Sequence, residues 1–214
     1  QDSSAASDVY KRQTGLYSGH DFFVDLSSFF WWKEILVHFF FQSMSQVFDN
    51  RFIFWDVEST SKDPMEDDII SIGAVLCTYT NGCFCKVDEF HTYVNTYKQI
   101  DPIAQSIHHI SKRDIKGSPM FPKAMSIFKR WILRHVTPTC RTVFLAHNGR
   151  KFDDVILFCN FVQNKLDFDQ FLTDIHCCGF VDTLRMLRTL FKTKHVSDLP
   201  KDAKTSRVSF TLGN

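Results

Sequence analysis

The dipeptide Asn81-Gly82 constrains this chain more than any other feature. Both residues accept positive φ, which a two-residue hairpin turn demands. Runs rich in β-formers flank it at 69–80 and 84–93, so two antiparallel strands are predicted there. A third strand is predicted at 51–57, where Phe52, Ile53, Phe54 and Trp55 form a short apolar run. After the hairpin the pattern changes. Pro102 opens a helical stretch through Ile103, Ile107 and Ile110. Residues 121–135 place Met125, Phe128, Trp131 and Ile132 at helical spacing, as core positions. A short buried strand at 142–146 precedes a helix at 152–162, a brief strand at 180–181 and a helix at 183–191. Hairpin-connected strands followed by alternating helices and strands predict an α/β fold with a mixed sheet.

Composition sets limits on function. The chain has 214 residues, 44% hydrophobic and 23% charged, enough for one soluble globular domain with a full core. A protein gripping a long duplex usually carries a broad basic surface, and a formal net charge of +1 does not call for one here. A protein that holds only a few terminal nucleotides needs none. The cysteines number seven, and no CxxC pair occurs. Free thiols in a reducing, intracellular compartment are expected. Cys83 and Cys85 lack two further ligands that a zinc site would require.

The front of the chain reads differently. Residues 3–13 look like a translated sequencing adapter and are set aside. Residues 14–43 form a doubtful, phenylalanine-rich leader. As a membrane span it is interrupted by Asp25, Lys33 and Glu34. As a signal peptide it lacks a basic start and a small-residue cleavage site. The first methionine is Met44, so the domain is expected to occupy 44–214, with no membrane partner. The oligomeric state is left open.

Asp56 and Glu58 end the first strand at spacing i and i+2, which puts both side chains on one face. Two adjacent carboxylates repel unless a cation lies between them, and all-oxygen sites suit Mg²⁺ or Mn²⁺. A solvated strand end is the plainer alternative for this pair alone.

The surroundings of the pair carry a resemblance. Phe54-Trp55-Asp56-Val57-Glu58-Ser59-Thr60 is followed by Asp68-Ile69-Ile70-Ser71-Ile72-Gly73. Further on come Ile107-His108-His109-Ile110-Ser111 and Phe144-Leu145-Ala146-His147-Asn148-Gly149-Arg150-Lys151-Phe152-Asp153. Phe180-Val181-Asp182-Thr183-Leu184 completes the series. In order and spacing these segments resemble the DEDD 3′→5′ exonuclease superfamily, in its DnaQ-like, histidine-containing branch. The group includes polymerase proofreading subunits, ribonuclease T and three-prime repair exonucleases. The resemblance covers 51–214 and implies a ribonuclease H-like mixed sheet flanked by helices.

It also implies roles. Asp56, Glu58 and Asp153 would be catalytic carboxylates, with Asp56 and Glu58 binding metal directly as part of a two-ion Mg²⁺ or Mn²⁺ site. Glu58, Ser59 and Phe152 would line the 3′-terminal nucleotide, and Ile107 and Ile110 would meet its base. His147 would support its loop, Asp154 would lie on the helix surface, and Arg150 and Lys151 would steady phosphates. The implied reaction releases nucleoside 5′-monophosphates from a DNA or RNA 3′ end. The branch's last motif, His-x4-Asp, does not occur after Asp182, and His195-Val196-Ser197-Asp198 has the wrong spacing. The domain is therefore expected to be C-terminally truncated, and 44–214 alone to show little nuclease activity. A non-catalytic nucleic-acid-binding or protein-docking module on the same fold is the alternative.

Overall fold

The computed structural model describes residues 49–192, with backbone only for 189–192. The expectations for 1–13, 14–43 and 193–214 lie outside the described residues.

Five strands form one sheet. β1 is Asp49–Ser59, β2 Ile69–Thr80, β3 Cys83–Tyr93, β4 Cys140–Ala146 and β5 Cys177–Asp182. Their spatial order is β3-β2-β1-β4-β5. The first three strands pair antiparallel, whereas β4 pairs parallel with both β1 and β5. The mixed sheet expected from the sequence is therefore present. At the hairpin, Asn81 and Gly82 have φ of 54° and 80°, as the tight turn requires.

β1 is central, which explains its unbroken apolar run. Ile53, Trp55 and Val57 point into the main core, against Met125, Phe128 and Ile132 of α2 (Phe121–Leu133) and Ile156, Leu157 and Phe161 of α3 (Asp153–Gln163). Phe52 and Phe54 point to the opposite face, with Cys77, Val143 and Leu145. Asp56 and Glu58 continue that second face beyond its apolar part. Trp131, also buried, donates its indole N–H to Asp88 at 2.8 Å, and His135 shares the same carboxylate oxygen at 2.7 Å.

Several boundaries differ from expectation. The first helix, α1, is Pro102–His108; it stops before Ile110 because His109 turns left-handed at φ 60°. Ile110 instead joins a small cluster with Ile70, Ile100 and Ile115. A short helix, α4, at Phe168–Asp174 was not expected. Its seven residues are too few to display a clear helical period, yet Asp167 caps it by accepting from the Gln170 N–H at 2.8 Å. β5 is longer than 180–181 because it is an edge strand whose half-exposed residues leave no apolar run. The last helix, α5, is Thr183–Lys192.

Candidate active site

The site forms where β1 outruns its neighbour. The β1–β4 register ends at Phe54 against Leu145, but β1 continues to Ser59. Asp153, the first residue of α3, covers part of the gap. Its Oδ1 accepts the Val57 N–H at 3.2 Å, where a strand carbonyl would otherwise be needed. Asp153 is thereby fixed beside Asp56. A register irregularity at Glu58/Ser59 against β2 then bends the chain out of the sheet.

The three carboxylates share an electrostatic problem. Burial pushes the Glu58 carboxyl up to about 8, and the charge of Asp56 adds to the rise. Asp56 presents one open flank to solvent, but the protein around its other sides raises it to about 6. Asp153 is 3% exposed and is held well above the ordinary carboxylate range, first by burial and then by Asp56, with the Val57 N–H opposing. All three would ionise more readily if a cation were shared among them. An oxygen-only donor set of this kind fits a hard divalent ion. Among the described residues no group of three or more His, Cys, Asp or Glu side chains is placed so that it could hold a metal ion. The carboxylates are thus a neighbouring set rather than a finished coordination sphere.

The other expected residues are distributed as follows. Ser59 is buried, and its hydroxyl donates to the Ser61 carbonyl. Phe152 is half-buried against the main core, immediately before Asp153. Ile107 is half-buried on α1, whereas Ile110 is occupied in its own apolar cluster. Arg150 and Lys151 are exposed. His147 is exposed, with Nδ1 3.4 Å from the Thr183 hydroxyl oxygen. Asp154 departs from the expected surface position. It is half-buried and raised to about 6 by burial and by the charge of Asp182, with Arg150 opposing.

Sequence reasoning missed the residues that brace the site. Thr60 is 1% exposed; its hydroxyl donates to Asp67 at 2.9 Å, and its carbonyl accepts the Asp101 N–H at 2.8 Å. Asn160 accepts from the Ile69 N–H at 3.2 Å and donates to the Asp67 carbonyl at 2.9 Å, which fixes the start of β2. His108 accepts the Ile110 N–H on Nδ1 at 3.0 Å, so Nε2 carries the proton, and burial lowers the ring's pKa to about 4. A polar residue on the inner side of an apolar helix was the available signal for Asn160. Nothing local marks Thr60.

Carboxylates at the end of a central strand, with a third delivered by the helix after a parallel neighbour, make up the candidate site of this α/β fold. The RNase_T exonuclease family matches residues 53–208, and the chain belongs to that family. It is 29% identical over 150 residues to the DNA polymerase III subunit epsilon of Buchnera aphidicola subsp. Baizongia pistaciae, covering 68% of this chain and 56% of that protein. It is 24% identical over 149 residues to the PolC-type DNA polymerase III of Mycoplasmopsis pulmonis, covering 68% of this chain but 9% of that one. Among solved structures, E. coli exonuclease I in complex with a dT13 oligonucleotide shares the fold at a TM-score of 0.56. It is 18% identical, and the match covers 68% of this chain and 30% of that one. The chain thus spans only part of these relatives. The exonuclease family depends on divalent metal ions in general. No helix among the described residues is long and apolar enough to cross a membrane.

Proposed function

We propose that residues 44–214 belong to a 3′→5′ exonuclease domain that releases nucleoside 5′-monophosphates, with Asp56, Glu58 and Asp153 among its catalytic carboxylates, and that 44–214 alone shows little of that activity. The observation that carries this reading is the placing of Asp56 and Glu58 on the part of β1 that outruns β4, with Asp153 from the start of α3 accepting the N–H of Val57 between them. Membership of the exonuclease family supports it. Asp56 and Glu58 would hold Mg²⁺ or Mn²⁺ directly, as part of a two-ion site, with Asp153 as the third of its four carboxylates. When bound, such ions supply charge neutralisation at a phosphate and a more acidic water. The backbone at Glu58 and Ser59, with Phe152, would line the terminal nucleotide. Ile107, from α1, and Ile110, from the apolar cluster it shares with Ile70, Ile100 and Ile115, would meet its base. Arg150 and Lys151 are free to approach the strand's phosphates. An intracellular site of action belongs to this reading, supported by relatives named as parts of DNA polymerase III.

The reading is tested by product identity. A single-stranded DNA oligonucleotide treated with the longest natural chain and Mn²⁺ should yield nucleoside 5′-monophosphates on chromatography. Nucleoside 3′-monophosphates, or oligonucleotides alone, would refute it.

Two further outcomes are expected. Mg²⁺ or Mn²⁺ at about 100 times its Kd should stabilise the fold by roughly 2.7 kcal/mol through linkage, seen as a higher Tm. Asp56→Asn should lose most of that increase; an undiminished metal response would remove Asp56 from the site. Ile107→Ala should weaken binding of a 5′-mononucleotide more than it lowers Tm. A loss of binding merely proportional to lost stability would assign Ile107 to packing.

A further inference from the structure

We propose that Asp182 is a positioning residue that sets Asp153 against β1 by holding the loop between β4 and α3. The inference deepens the reading above and rests on it for its link to metal binding. Asp182 ends β5 and lies in register with Ala146, the last residue of β4. It is 6% exposed. Its Oδ1 accepts three N–H groups, from Asn148 at 3.1 Å, Leu184 at 3.0 Å and Arg185 at 3.3 Å. The last two cap α5. The first reaches across to the loop that leads into Asp153.

That loop needs holding. Asn148 stands at φ 64°, in the left-handed region. Gly149 is pressed so close to the strand end that an added Cβ would lie 2.7 Å from the Ala146 Cβ. The next residue of Asp182, Thr183, donates its hydroxyl to the Ala146 carbonyl at 3.2 Å, which ties down the same strand end. The line of contact therefore runs from Asp182 to Asn148, through the turn at Gly149–Lys151, to Asp153 and the Val57 N–H.

Helix capping alone does not account for a carboxylate here. Asp182 Oδ2 is buried with no partner among the described residues. A bare buried oxygen costs free energy that a serine cap would not incur. The longer side chain is explained by its reach to Asn148 as well as to α5.

The test separates those two jobs. Asp182→Ser keeps a cap for α5 but shortens the reach to Asn148, and Asp182→Asn keeps an oxygen at both. Amide hydrogen exchange is read at Val57 and Asn148, with Leu76 in β2 as reference. In the serine variant, exchange at Val57 and Asn148 should rise about ten-fold relative to Leu76, as expected for losing or weakening one hydrogen bond. Mn²⁺ affinity should fall by about 10–100-fold, the range for outer partners of metal ligands. The asparagine variant should restore most of both. Unchanged Val57 exchange overturns the proposal, and so does equal acceleration at all three amides, which would mean plain stabilisation. Should Asp182→Ser not fold, the asparagine variant and Asp182→Thr carry the same comparison. If wild-type protein binds no Mn²⁺ while Val57 exchange responds as stated, the metal reading fails and the positioning role stands.

Discussion

Asp153→Asn is expected to reduce nucleotide release by about 10²–10⁴-fold, the range for removing a group that acts in the transition state. The fold should remain intact. An asparagine keeps an oxygen where Asp153 Oδ1 accepts the Val57 N–H at 3.2 Å, so β1 retains its partner. What it loses is the ability to carry negative charge toward a shared cation. Asp153→Ala is the harsher variant, because it also leaves a buried N–H unpaired, at a cost of about 1–3 kcal/mol. Comparing the two isolates chemistry from support. Equal activity in Asp153→Asn and wild type would exclude Asp153 from the reaction.

The second large effect concerns pH without metal. In EDTA the protein should lose stability as the pH rises, the reverse of ordinary acid denaturation. Unfolded, Asp56 and Glu58 ionise near 3.8 and 4.5; folded, they do so near about 6 and about 8. The folded state therefore keeps protons that the unfolded state has released, so raising the pH favours unfolding. This stability is fully present below the unfolded values and is lost as the pH passes the folded ones. His108 acts in the opposite sense. Its folded value of about 4 lies below the ordinary 6.5, so it destabilises the fold as the pH drops through that window. Above about 6.5 only the carboxylates contribute, and the range from there to about 8 is the one to measure. A Tm decrease of about 2–4 °C, which roughly 1 kcal/mol gives in a chain of this length, is the expected scale. Glu58→Gln should flatten the slope, and Mn²⁺ should flatten it in wild type by replacing protons with a cation. A Tm in EDTA that rises with pH in both proteins would contradict the raised Glu58 pKa.

What the sequence made legible follows period and spacing. The hairpin was readable because Asn81-Gly82 has one geometrical use between two strand-like runs. α2 was readable because its apolar residues repeat at helical spacing over 13 residues. Asp56 and Glu58 could be placed on one face from the period of a strand, and Asp153 from the resemblance of its segment. The rest depends on contacts between distant parts of the chain. Val57 and Asp153 are separated by 96 positions, and Asn148 and Asp182 by 34. No local pattern encodes either bond. α4 was missed because seven residues show too little period, and the end of α1 was misjudged because Ile110 continues the apolar spacing past a left-handed His109. Asp154 was misplaced because the sequence does not reveal that Asp182 comes up against it.

The central claim is that these carboxylates serve removal of nucleotides from a 3′ end. A single strand labelled at its 5′ end, incubated with the natural full-length chain and Mg²⁺ or Mn²⁺, tests it most directly when products are resolved by length. The account predicts a ladder that shortens from the 3′ end, absent in EDTA and absent with Asp153→Asn. Release of the labelled 5′ nucleotide at the outset, internal cuts, or an undiminished ladder with Asp153→Asn would contradict it.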